Sequence, residues 1–453
     1  MNQTSRGGTY RMPAKALPAL LVFILCFTGC REPKSEGTIR LRWVTDINPA
    51  REKQIQLFRK SHPHIDVFVD QASGGSTAKV LIQLAAHAGP DLIDIYSPEN
   101  LAYFAQYDSL LDITDMCSEA RIDLDMFWPQ CQAWMKHNNR IYGIPTNAGT
   151  LVLFYNKDHF DEAGIEYPDE TWDWEDYLSA ASRLTKRNPD NQRIERYGCY
   201  PNEIRPLVWQ AGGHFWDENL TTCTLNTPQG IRGLKLFYDT RILLKVAPSL
   251  GDEQSFSAGG WGGGVFGSPI PLFATGRVSM LDMGRWGIVT FRQYQKEQKE
   301  AGLPPLRFGV APLPRDATRA TWFLSRSTTI NAETRYPREC FEFLKFLTTP
   351  EYNHLICQAG DGIPSVKSIA ESDLFLRDPD YPQEDQNHVY LEDIPYGKVF
   401  RVPSDIKAAE YQKLYDITVL RLREGTLTPE EAAEDFTSQV NRAIARNRGQ
   451  NEI

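Results

Sequence analysis

The chain has 453 residues, of which 41% are hydrophobic and 11% aromatic, and its formal net charge at pH 7 is −9. A chain of this length exceeds what one hydrophobic core ordinarily supports, so we expect at least two lobes or domains. The negative charge argues against a polyanion such as nucleic acid as a partner.

The first thirty residues have the pattern of an export signal. Arg6, Arg11 and Lys15 precede a run of 14 largely apolar residues at 16–29. That run is shorter than the about 20 residues that a membrane-spanning helix needs. It fits the apolar region of a signal peptide instead. No later stretch is apolar for long enough to span a membrane.

The end of this segment resembles a bacterial lipoprotein cleavage box. Small residues at 28 and 29 stand directly before Cys30, although Phe27 occupies a position where such boxes usually have Leu. The resemblance implies a lipoprotein signal peptide at 1–29, lipidation of Cys30 and a polar tether at 30–37. Ordinary signal-peptide cleavage nearby is the alternative.

Residues 38–114 alternate between strand and helix patterns. The segments 38–50 and 64–70 show the two-residue alternation of strands, and 51–60 is typical of a helix between them. Residues 79–114 then continue as helix, strand, loop and helix. This β-α-β-α order predicts a largely parallel sheet with covering helices.

Beyond residue 114 the sequence predicts a further strand and several helices, most of them with clear N-terminal signals. Residues 143–158 contain an apolar strand-like run. A helix begins after Thr171 or Asp173, and another runs over 227–244 with Thr227 as its cap and Pro228 in the first turn. Further helices are predicted over 337–352 and, with a capping box formed by Thr428 and Glu431, over 426–445.

Six cysteines lie beyond Cys26 of the apolar run and Cys30. They form no C-x-x-C pair, and no His stands at zinc-finger spacing, so we expect no metal site. An exported compartment permits disulfides. The open alternatives are buried free thiols or the sequential pairs Cys117/Cys131, Cys199/Cys223 and Cys340/Cys357.

Enzyme signatures are not found. The sequence has no G-x-S-x-G, H-E-x-x-H or G-x-x-x-x-G-K-[ST] motif. His62 and His64 fit a solvated loop better than a metal site. The acids Asp173, Glu175 and Asp176 could be paired carboxylates for glycoside hydrolysis. Acids in a first helical turn are, however, favoured by the helix dipole without any catalytic role.

Tryptophans recur near the predicted ends of strands and helices. An aromatic ring offers a flat apolar surface to the C–H face of a sugar, while Asp, Glu, Asn and Arg can bond its hydroxyls. Near 272–286 an apolar strand is followed at once by Gly284, Arg285 and Trp286, at a strand end where open α/β sheets place ligands. The tryptophans concerned are Trp209, Trp216, Trp261 in the glycine cluster 258–267, Trp286 and Trp322.

From about Ile39 to its C-terminus the chain resembles the extracellular solute-binding proteins of ATP-driven importers, in the sugar-binding family that includes maltose-binding protein. Each motif that carries the resemblance is weak alone, but six occur in the family's order. They are "PDLIDIYSPENLAYFAQYDSLLDIT", "YGIPTNAGTLVLFYNKDHFDEAGI", "TWDWEDYLSAASRLT", "LFATGRVSMLDMGRW", "FGVAPLPRD" and "FEFLKFLTTPEYN".

The resemblance implies an α/β, two-lobed periplasmic-binding-protein-like fold with hinge crossovers and a ligand cleft between the lobes. Lobe 1 is expected to hold 38–149 plus 273–322, and lobe 2 to hold 150–272 plus 323–453. A crossover near Gly149 suits a hinge that absorbs backbone rotation. Ligand that touches both lobes would favour the closed form.

Family cleft positions carried over to this sequence give the expected ligand contacts. Aromatic rings among them would stack on the ligand, and polar groups would fix its hydroxyls. The expected ligand-binding residues are Asp46, Asn48, Glu99, Asn100, Asn147, Tyr155, Trp209, Trp261, Arg285, Trp286 and Trp322.

The expected function is capture of a sugar or oligosaccharide and its delivery to membrane permease subunits, by a monomer anchored outside the cytoplasm, in the periplasm or on the outer face of the cell membrane. Neither a catalytic residue nor a cofactor or metal is expected. One alternative is a binding protein of the same fold for a non-sugar such as a glycerol phosphoester or polyamine, or a sensor subunit. The other is a secreted carbohydrate-active enzyme.

Overall fold

A computed structural model describes residues 37–70, 77–256, 269–382 and 384–451. The apolar run at 16–29, Cys30 and Trp261 lie outside these ranges. Within them the strands are β1 Ile39–Val44, β2 Ile65–Val69, β3 Leu92–Ile95, β4 Lys136–His137, β5 Arg140–Ile141, β6 Gly143–Thr150, β7 Val152–Asn156, β8 Lys186–Arg187, β9 Ile194–Arg196, β10 Met280–Met283, β11 Phe308–Ala311, β12 Thr321–Ile330 and β13 Gly397–Lys398.

Helices separate and cover these strands. In the described ranges, no helix combines the length and apolar character needed to cross a membrane. The helices are α1 Pro49–Ser61, α2 Thr77–Ala85, α3 Pro98–Gln106, α4 Thr114–Glu119, α5 Lys157–Ala163, α6 Trp174–Leu184, α7 Ile204–Gln210, α8 Pro228–Arg241, α9 Leu250–Phe256, α10 Ile270–Ala274, α11 Gly287–Glu300, α12 Pro337–Phe346, α13 Pro350–Ala359, α14 Lys367–Ala370, α15 Asp373–Leu376, α16 Asn387–Glu392, α17 Ala408–Glu424 and α18 Pro429–Asn451, with 3-10 helices at Leu124–Met126, Pro129–Trp134 and Ile394–Tyr396.

The larger sheet begins with the predicted parallel pairing. Strand β1 pairs in parallel with β2 and with β3, as the β-α-β-α pattern indicates. The sheet is mixed rather than wholly parallel, because β12 runs antiparallel to both β3 and β6. Its order is β13-β12-β3-β1-β2, with β6 also paired to β12.

A second sheet has three antiparallel strands in the order β10-β7-β11. The apolar run 143–158 supplies strands to both sheets, since β6 ends at Thr150 and β7 begins at Val152. The chain therefore passes from one sheet to the other at Leu151. It returns between β11, which ends at Ala311, and β12, which begins at Thr321.

This strand pairing contradicts part of the expected lobe assignment. Residues 273–322 were expected beside 38–149, but their strands β10 and β11 pair with β7, which follows the crossover. Residues 323–330 of β12 were expected in the other lobe, yet they pair with β6 and β3. Hydrophobic patterning defines strands but not their partners, so the sequence alone left this grouping undetermined.

Buried apolar side chains hold the two sheets and the C-terminal helices together within the compact unit Ile39–Ile453. One cluster includes Leu41 of the larger sheet and Phe154 of the smaller one. Another joins α7 and α8 to α17 and α18 through residues such as Val208 and Phe436. The last two helices thus complete the core beside the smaller sheet.

The predicted helix caps are confirmed. Asp173 caps α6 in a capping box with Asp176, so these acids have a structural role at the helix start. Thr227 accepts from the Gly230 amide at the start of α8. Thr428 and Glu431 exchange the two hydrogen bonds of a capping box before α18.

The six cysteines of the described residues are buried free thiols. The sequential disulfide pairs are therefore wrong, and the free-thiol alternative holds. Burial raises the pKa of Cys117 to about 11 and that of Cys131 to about 12. These cysteines pack as small apolar side chains and stay protonated at neutral pH.

A test of the packing between α7 and α8 is Gly233→Ala. A β-carbon at Gly233 would lie 2.6 Å from the Val208 backbone, so the helices must separate. We expect a loss of about 1–3 kcal/mol in the free energy of unfolding, measured by urea denaturation. Gly449→Ala in α18 is the control, because its β-carbon meets nothing within 4 Å. It should be neutral or slightly stabilising, and equal losses would contradict the packing argument.

Candidate functional site

Two parallel strands deliver polar side chains to one edge of the larger sheet. Asp46 follows β1 after one intervening residue, Thr45, and Tyr96 directly follows β3. The Asp46 amide donates to the Tyr96 hydroxyl at 2.8 Å, and that hydroxyl lies 3.1 Å from Asp46 Oδ1. The carboxyl ends of adjacent parallel strands therefore meet here, where α/β sheets place ligands.

A cavity of about 610 Å³ opens at this edge. It is bounded by the strand ends, by the start of α1, by β6 and β12, and by one side of α11. Its polar lining includes Asp46, Asn48, Tyr96, Asn147, Arg326 and Asp361. Its apolar lining includes Ile47, Ala148, Ile270, Trp286, Val289 and Leu324.

Trp286 is the one tryptophan in this lining among the described residues. It stands between β10 and α11, and its ring lies against two glycines. A β-carbon would come within 3.0 Å of ring atom Cζ3 at Gly149 and within 1.9 Å of it at Gly284. Both positions therefore need glycine for the indole to approach the backbone and occupy this side of the cavity.

Linked charged side chains form another part of the site, and two of them, Arg51 and Asp94, lie outside the cavity lining. Arg51 Nη2 lies 2.7 Å from Asp46 Oδ1, and its Nη1 lies 2.7 Å from Asp361 Oδ2. Arg326 Nη1 lies 2.9 Å from Asp46 Oδ1, and its Nη2 lies 3.5 Å from Asp361 Oδ2. Arg326 Nε is also 3.3 Å from Asp94 Oδ2. We call these five residues the ionic floor.

Burial controls the protonation of this floor. It raises the pKa of Asp94 to about 7 against hydrogen bonds from Thr328 and Thr45. It raises the pKa of Asp361 to about 6, and the positive charge of Arg51 opposes that shift. Asp361 at the cavity surface therefore depends chiefly on Arg51 to lower its pKa, whereas Asp94 behind it depends chiefly on the hydroxyls of Thr328 and Thr45.

The arrangement supports binding through hydrogen bonds and ring contact. In the described part of the chain, no group of three or more His, Cys, Asp or Glu is placed to hold a metal ion. His62, considered above as a ligand, stacks on Phe58 with ring centroids 4.3 Å apart.

Residues 44–354, more than half of the chain, match the family model of bacterial extracellular solute-binding proteins. The chain belongs to this family. Curated relatives of this solute-binding protein include the arabinooligosaccharide-binding protein of Halalkalibacterium halodurans, 30% identical over 170 residues, which are 37% of each protein. The multiple sugar-binding protein of Streptococcus mutans is 21% identical over 72% of this chain and 74% of its own length. A putative binding protein of Brucella abortus is matched over 55% of its length. The chain thus spans about a third to a half of the length of the Halalkalibacterium and Brucella relatives.

Solved structures of similar shape cover more of the chain. The ABC substrate-binding protein from Listeria monocytogenes in complex with cycloalternan has a TM-score of 0.76 and 23% identity, covering 90% of this chain and 99% of its own. The maltose/maltodextrin-binding domain from Bdellovibrio bacteriovorus bound to maltotriose has a TM-score of 0.71 and 17% identity, covering 90% and 100%. The solute-binding protein thus has the α/β, two-lobed fold of periplasmic binding proteins.

The structure brings four of the expected ligand residues to the cavity: Asp46, Asn48, Asn147 and Trp286. Asn48 caps α1 and donates to Asp361 Oδ1 at 3.2 Å. Asn147 donates to the Asp361 carbonyl at 3.1 Å. Both amides are thus held in place by the same loop residue.

Tyr155 and Trp209 do not line the cavity, which corrects their expected placement. Every residue of β7, the central strand of its sheet, is buried, and Tyr155 packs against Phe160 with ring centroids 5.3 Å apart. Trp209 belongs to the core around α7 and α8, together with Trp216 and Phe400. The helices and loops that cover these rings are distant in sequence, so the local pattern could not distinguish packing from ligand contact.

Arg285 is likewise absent from the cavity lining, although it is adjacent to Trp286. Its side chain is fully buried and donates to Asn387 Oδ1 at 3.0 Å and to the carbonyls of Gly362 and Cys357 at 3.0 and 3.2 Å. The expected ligand contact of Arg285 is therefore corrected to a structural role, joining the end of β10 to the segments around α13 and α16.

Glu99, Asn100 and Trp322 also lie outside the cavity lining. Burial raises the pKa of Glu99, and the positive charge of Arg205 opposes that shift. The Arg205 guanidinium lies 4.5 Å from the centre of the Trp322 ring and 2.7 Å from a carboxylate oxygen of Glu203. Glu99 and Trp322 therefore interact with Arg205. Asn100 donates its backbone amide to Ser97 at the start of α3.

Sequence reasoning missed several polar residues of the lining, among them Tyr96, Arg326 and Asp361. Tyr96 had a signal, because it directly follows the buried strand β3 and precedes the "SPEN" motif that was selected. Arg326 lies inside β12, and a single arginine in a strand pattern predicts a side chain that faces solvent. Asp361 follows Gly360, which caps α13 in the left-handed region. No local pattern marked Arg326 or Asp361, because both reach the site only by folding.

Asp282 anchors the loop that ends at Glu203, the N-cap of α7, which carries Arg205. Its carboxyl accepts from the backbone amides of Asn202 at 2.5 Å and Glu203 at 3.2 Å. Burial nevertheless raises the pKa of Asp282 to about 8. The loop position therefore depends on a carboxyl that titrates close to neutral pH.

The pH dependence of stability tests this shift. An unfolded Asp titrates near about 3.9, so between that pH and about 8 the folded protein holds a proton that the unfolded chain releases. The contribution of Asp282 to the free energy of unfolding should therefore fall as pH rises through this window, and level off above it. Asp282→Asn should flatten the profile measured by urea denaturation. Parallel profiles for both proteins would contradict the raised pKa.

Proposed function

We propose that this protein is the lipid-anchored substrate-binding component of an ABC importer, which captures a sugar or oligosaccharide in an interlobe cleft and delivers it to a membrane permease. The observation that carries the proposal is the cavity of about 610 Å³, whose lining combines the Trp286 indole with Asp46, Arg326 and Asp361 of the ionic floor. Its volume lies within the about 300–1,000 Å³ of small-molecule sites.

The chemistry of the lining matches a polyhydroxylated ring. A sugar presents a C–H face, which an indole covers, and an equator of hydroxyls that exchange hydrogen bonds with carboxylates and amides. Trp286 supplies the first kind of contact. Asp46, Asn48 and Asn147 supply the second, so four of the residues expected from the sequence form the proposed binding set.

Named relatives support the ligand class. The Halalkalibacterium halodurans relative is an arabinooligosaccharide-binding protein, the Streptococcus mutans relative is a multiple sugar-binding protein, and the Bdellovibrio bacteriovorus structure contains maltotriose. Delivery to permease subunits follows from the family to which the chain belongs.

The proposed mechanism is a shift between open and closed forms. The chain crosses between its sheets at Leu151 and again between Ala311 and Thr321, and two short crossings suit a hinge. Ligand that contacts both Trp286 and the ionic floor favours the closed form. No bond is made or broken, so no catalytic residue is assigned.

The proposed anchor is Cys30, after removal of residues 1–29. With Cys30→Ser, the protein expressed in a bacterial host should leave the membrane fraction and appear in the soluble exported fraction. A variant that stays in the membrane fraction would contradict lipidation at Cys30 without affecting the proposal for the cavity.

Thermal unfolding with a panel of sugars tests the function directly. The panel contains arabinotriose, mannotriose, maltotriose and their monosaccharides. A ligand that binds only the folded protein stabilises it by about 2.7 kcal/mol at a concentration 100 times its Kd, so the Tm rises. Chromatography of the same mixtures should show each sugar unchanged. Absence of any Tm rise would contradict sugar binding, and release of shorter sugars would favour the carbohydrate-active enzyme.

A further inference from the structure

The charges that line the cavity are few and unequally exposed. Of the described residues in the lining, Asp46, Arg326 and Asp361 carry a charge. The Asp46 side chain is 40% exposed, whereas those of Arg326 and Asp361 are each 4% exposed. The most accessible charge for a ligand in the cavity is therefore the carboxylate of Asp46.

The guanidinium N–H groups of the two arginines in the ionic floor donate hydrogen bonds to protein acceptors. Each guanidinium nitrogen of Arg51 and Arg326 has a protein acceptor within 3.5 Å. For Arg51 these acceptors are Asp46, Gln54 and Asp361, and for Arg326 they are Asp46, Thr146 and Asp361. An anionic ligand could recruit either cation only by breaking a buried ion pair.

The two oxygens of Asp46 have different surroundings. Oδ1 accepts from Arg51 at 2.7 Å, from Arg326 at 2.9 Å and from the Tyr96 hydroxyl at 3.1 Å. Oδ2 accepts no hydrogen bond from the residues that the structure describes. The carboxylate is thus held through one oxygen, and the other remains able to accept from a ligand.

We infer that this cavity selects ligands by charge: it binds a group that donates a hydrogen bond to Asp46, a hydroxyl or an ammonium, and it excludes carboxylate and phosphate groups. The inference rests on the proposed function, and it narrows the ligand class to neutral or amine-bearing sugars. An anion beside Asp46 would face a like charge, and among the described residues of the lining no cation lacks a protein acceptor and could offset that charge.

A groove that adjoins the cavity does not change this balance. The open groove that shares Pro49 and Gln293 with the cavity has lysines such as Lys296, but acids such as Glu300 also line it. The groove therefore offers mixed charge on an open surface, and its buried cation, Arg292, is paired with Asp378 and Glu384.

Calorimetry with one matched pair of ligands tests the inference. The trisaccharide of the panel that raises the Tm most is titrated alongside the same trisaccharide with its primary hydroxyls oxidised to carboxylates. We expect the oxidised form to bind at least about 100-fold more weakly, because like charges meet at Asp46. Binding of the two forms within threefold of each other would overturn the inference.

Asp46→Asn separates charge from shape, because the amide keeps an oxygen at the same position. We expect the variant to reduce the ratio between the two affinities at least about tenfold, mainly by binding the oxidised form better. An unchanged ratio would overturn the inference.

The wild-type protein gives a second measurement that needs no substitution: the ratio of the two affinities should shrink as NaCl is raised, because salt screens repulsion at an exposed carboxylate. A salt-independent ratio would also contradict charge selection.

Failure of the proposed function would give binding results that differ from those of a failure of charge selection. If no sugar of the panel binds, the function is wrong, and trigalacturonate, inorganic phosphate and spermidine are titrated instead. Binding of either anion would overturn the inference as well. Binding of spermidine alone, lost in Asp46→Asn, would support charge selection in a protein that does not bind sugars.

Discussion

Arg51→Met is expected to lower the free energy of unfolding by about 3–5 kcal/mol, since it leaves buried carboxylates without their partner. The Arg51 side chain is 2% exposed and joins Asp46 to Asp361 at 2.7 Å on each side. Burial raises the pKa of Asp361 to about 6, an effect that Arg51 opposes, so without Arg51 this carboxyl should take up a proton. Urea denaturation at neutral pH measures the loss, which should become smaller at lower pH.

The matched control is Arg59→Met on the same helix, α1. Arg59 also pairs with a carboxylate, Asp66, but its side chain is 52% exposed. An exposed ion pair contributes about 0–1 kcal/mol. Similar losses for the two variants would show that the ionic floor does not carry the stability assigned to it.

Trp286→Ala is expected to weaken sugar binding about 30-fold or more, because an aromatic side chain at the centre of a binding site typically accounts for at least about 2 kcal/mol. Trp286 is the tryptophan that lines the cavity in the described chain. It is half-buried beside Gly149 and Gly284, so the unliganded protein should remain folded. Calorimetry with the best sugar of the panel measures the change.

Trp209→Ala provides the converse control. Trp209 is buried in the core around α7 and α8, so its truncation should cost about 3–5 kcal/mol of stability. The folded fraction should still bind sugar with nearly wild-type affinity. A loss of binding in Trp209→Ala with no effect in Trp286→Ala would place the ligand elsewhere.

Local sequence patterns predicted most of the fold. The two-residue alternation of Ile39, Leu41 and Trp43 and the helix-strand order that follows produced the correct parallel pairing of β1 with β2 and β3. Caps such as Thr227 and Thr428 marked helix starts correctly. These features depend on neighbours within a few residues, which is why a single sequence reveals them.

The candidate site was predicted less completely. Asp46 and Asn48 were found because they lie in the loop that follows β1, at a strand end where α/β sheets place ligands. Arg285 and Trp286 are adjacent, yet one is enclosed by Asn387 and Gly362 and the other lines the cavity. Nothing in their local sequence distinguishes them.

By itself, then, the sequence determined the α/β class, the helix caps, the family and the strand ends where a ligand site could form. Only the tertiary structure decided that β10 and β11 join β7, that Tyr155 and Trp209 belong to cores, and that Arg326 and Asp361 complete the floor beneath Asp46. The physical reason is the separation along the chain. Asp46 lies 280 residues from Arg326 and Arg51 lies 310 from Asp361, and contacts at such separations leave no periodic or local trace in the order of the residues.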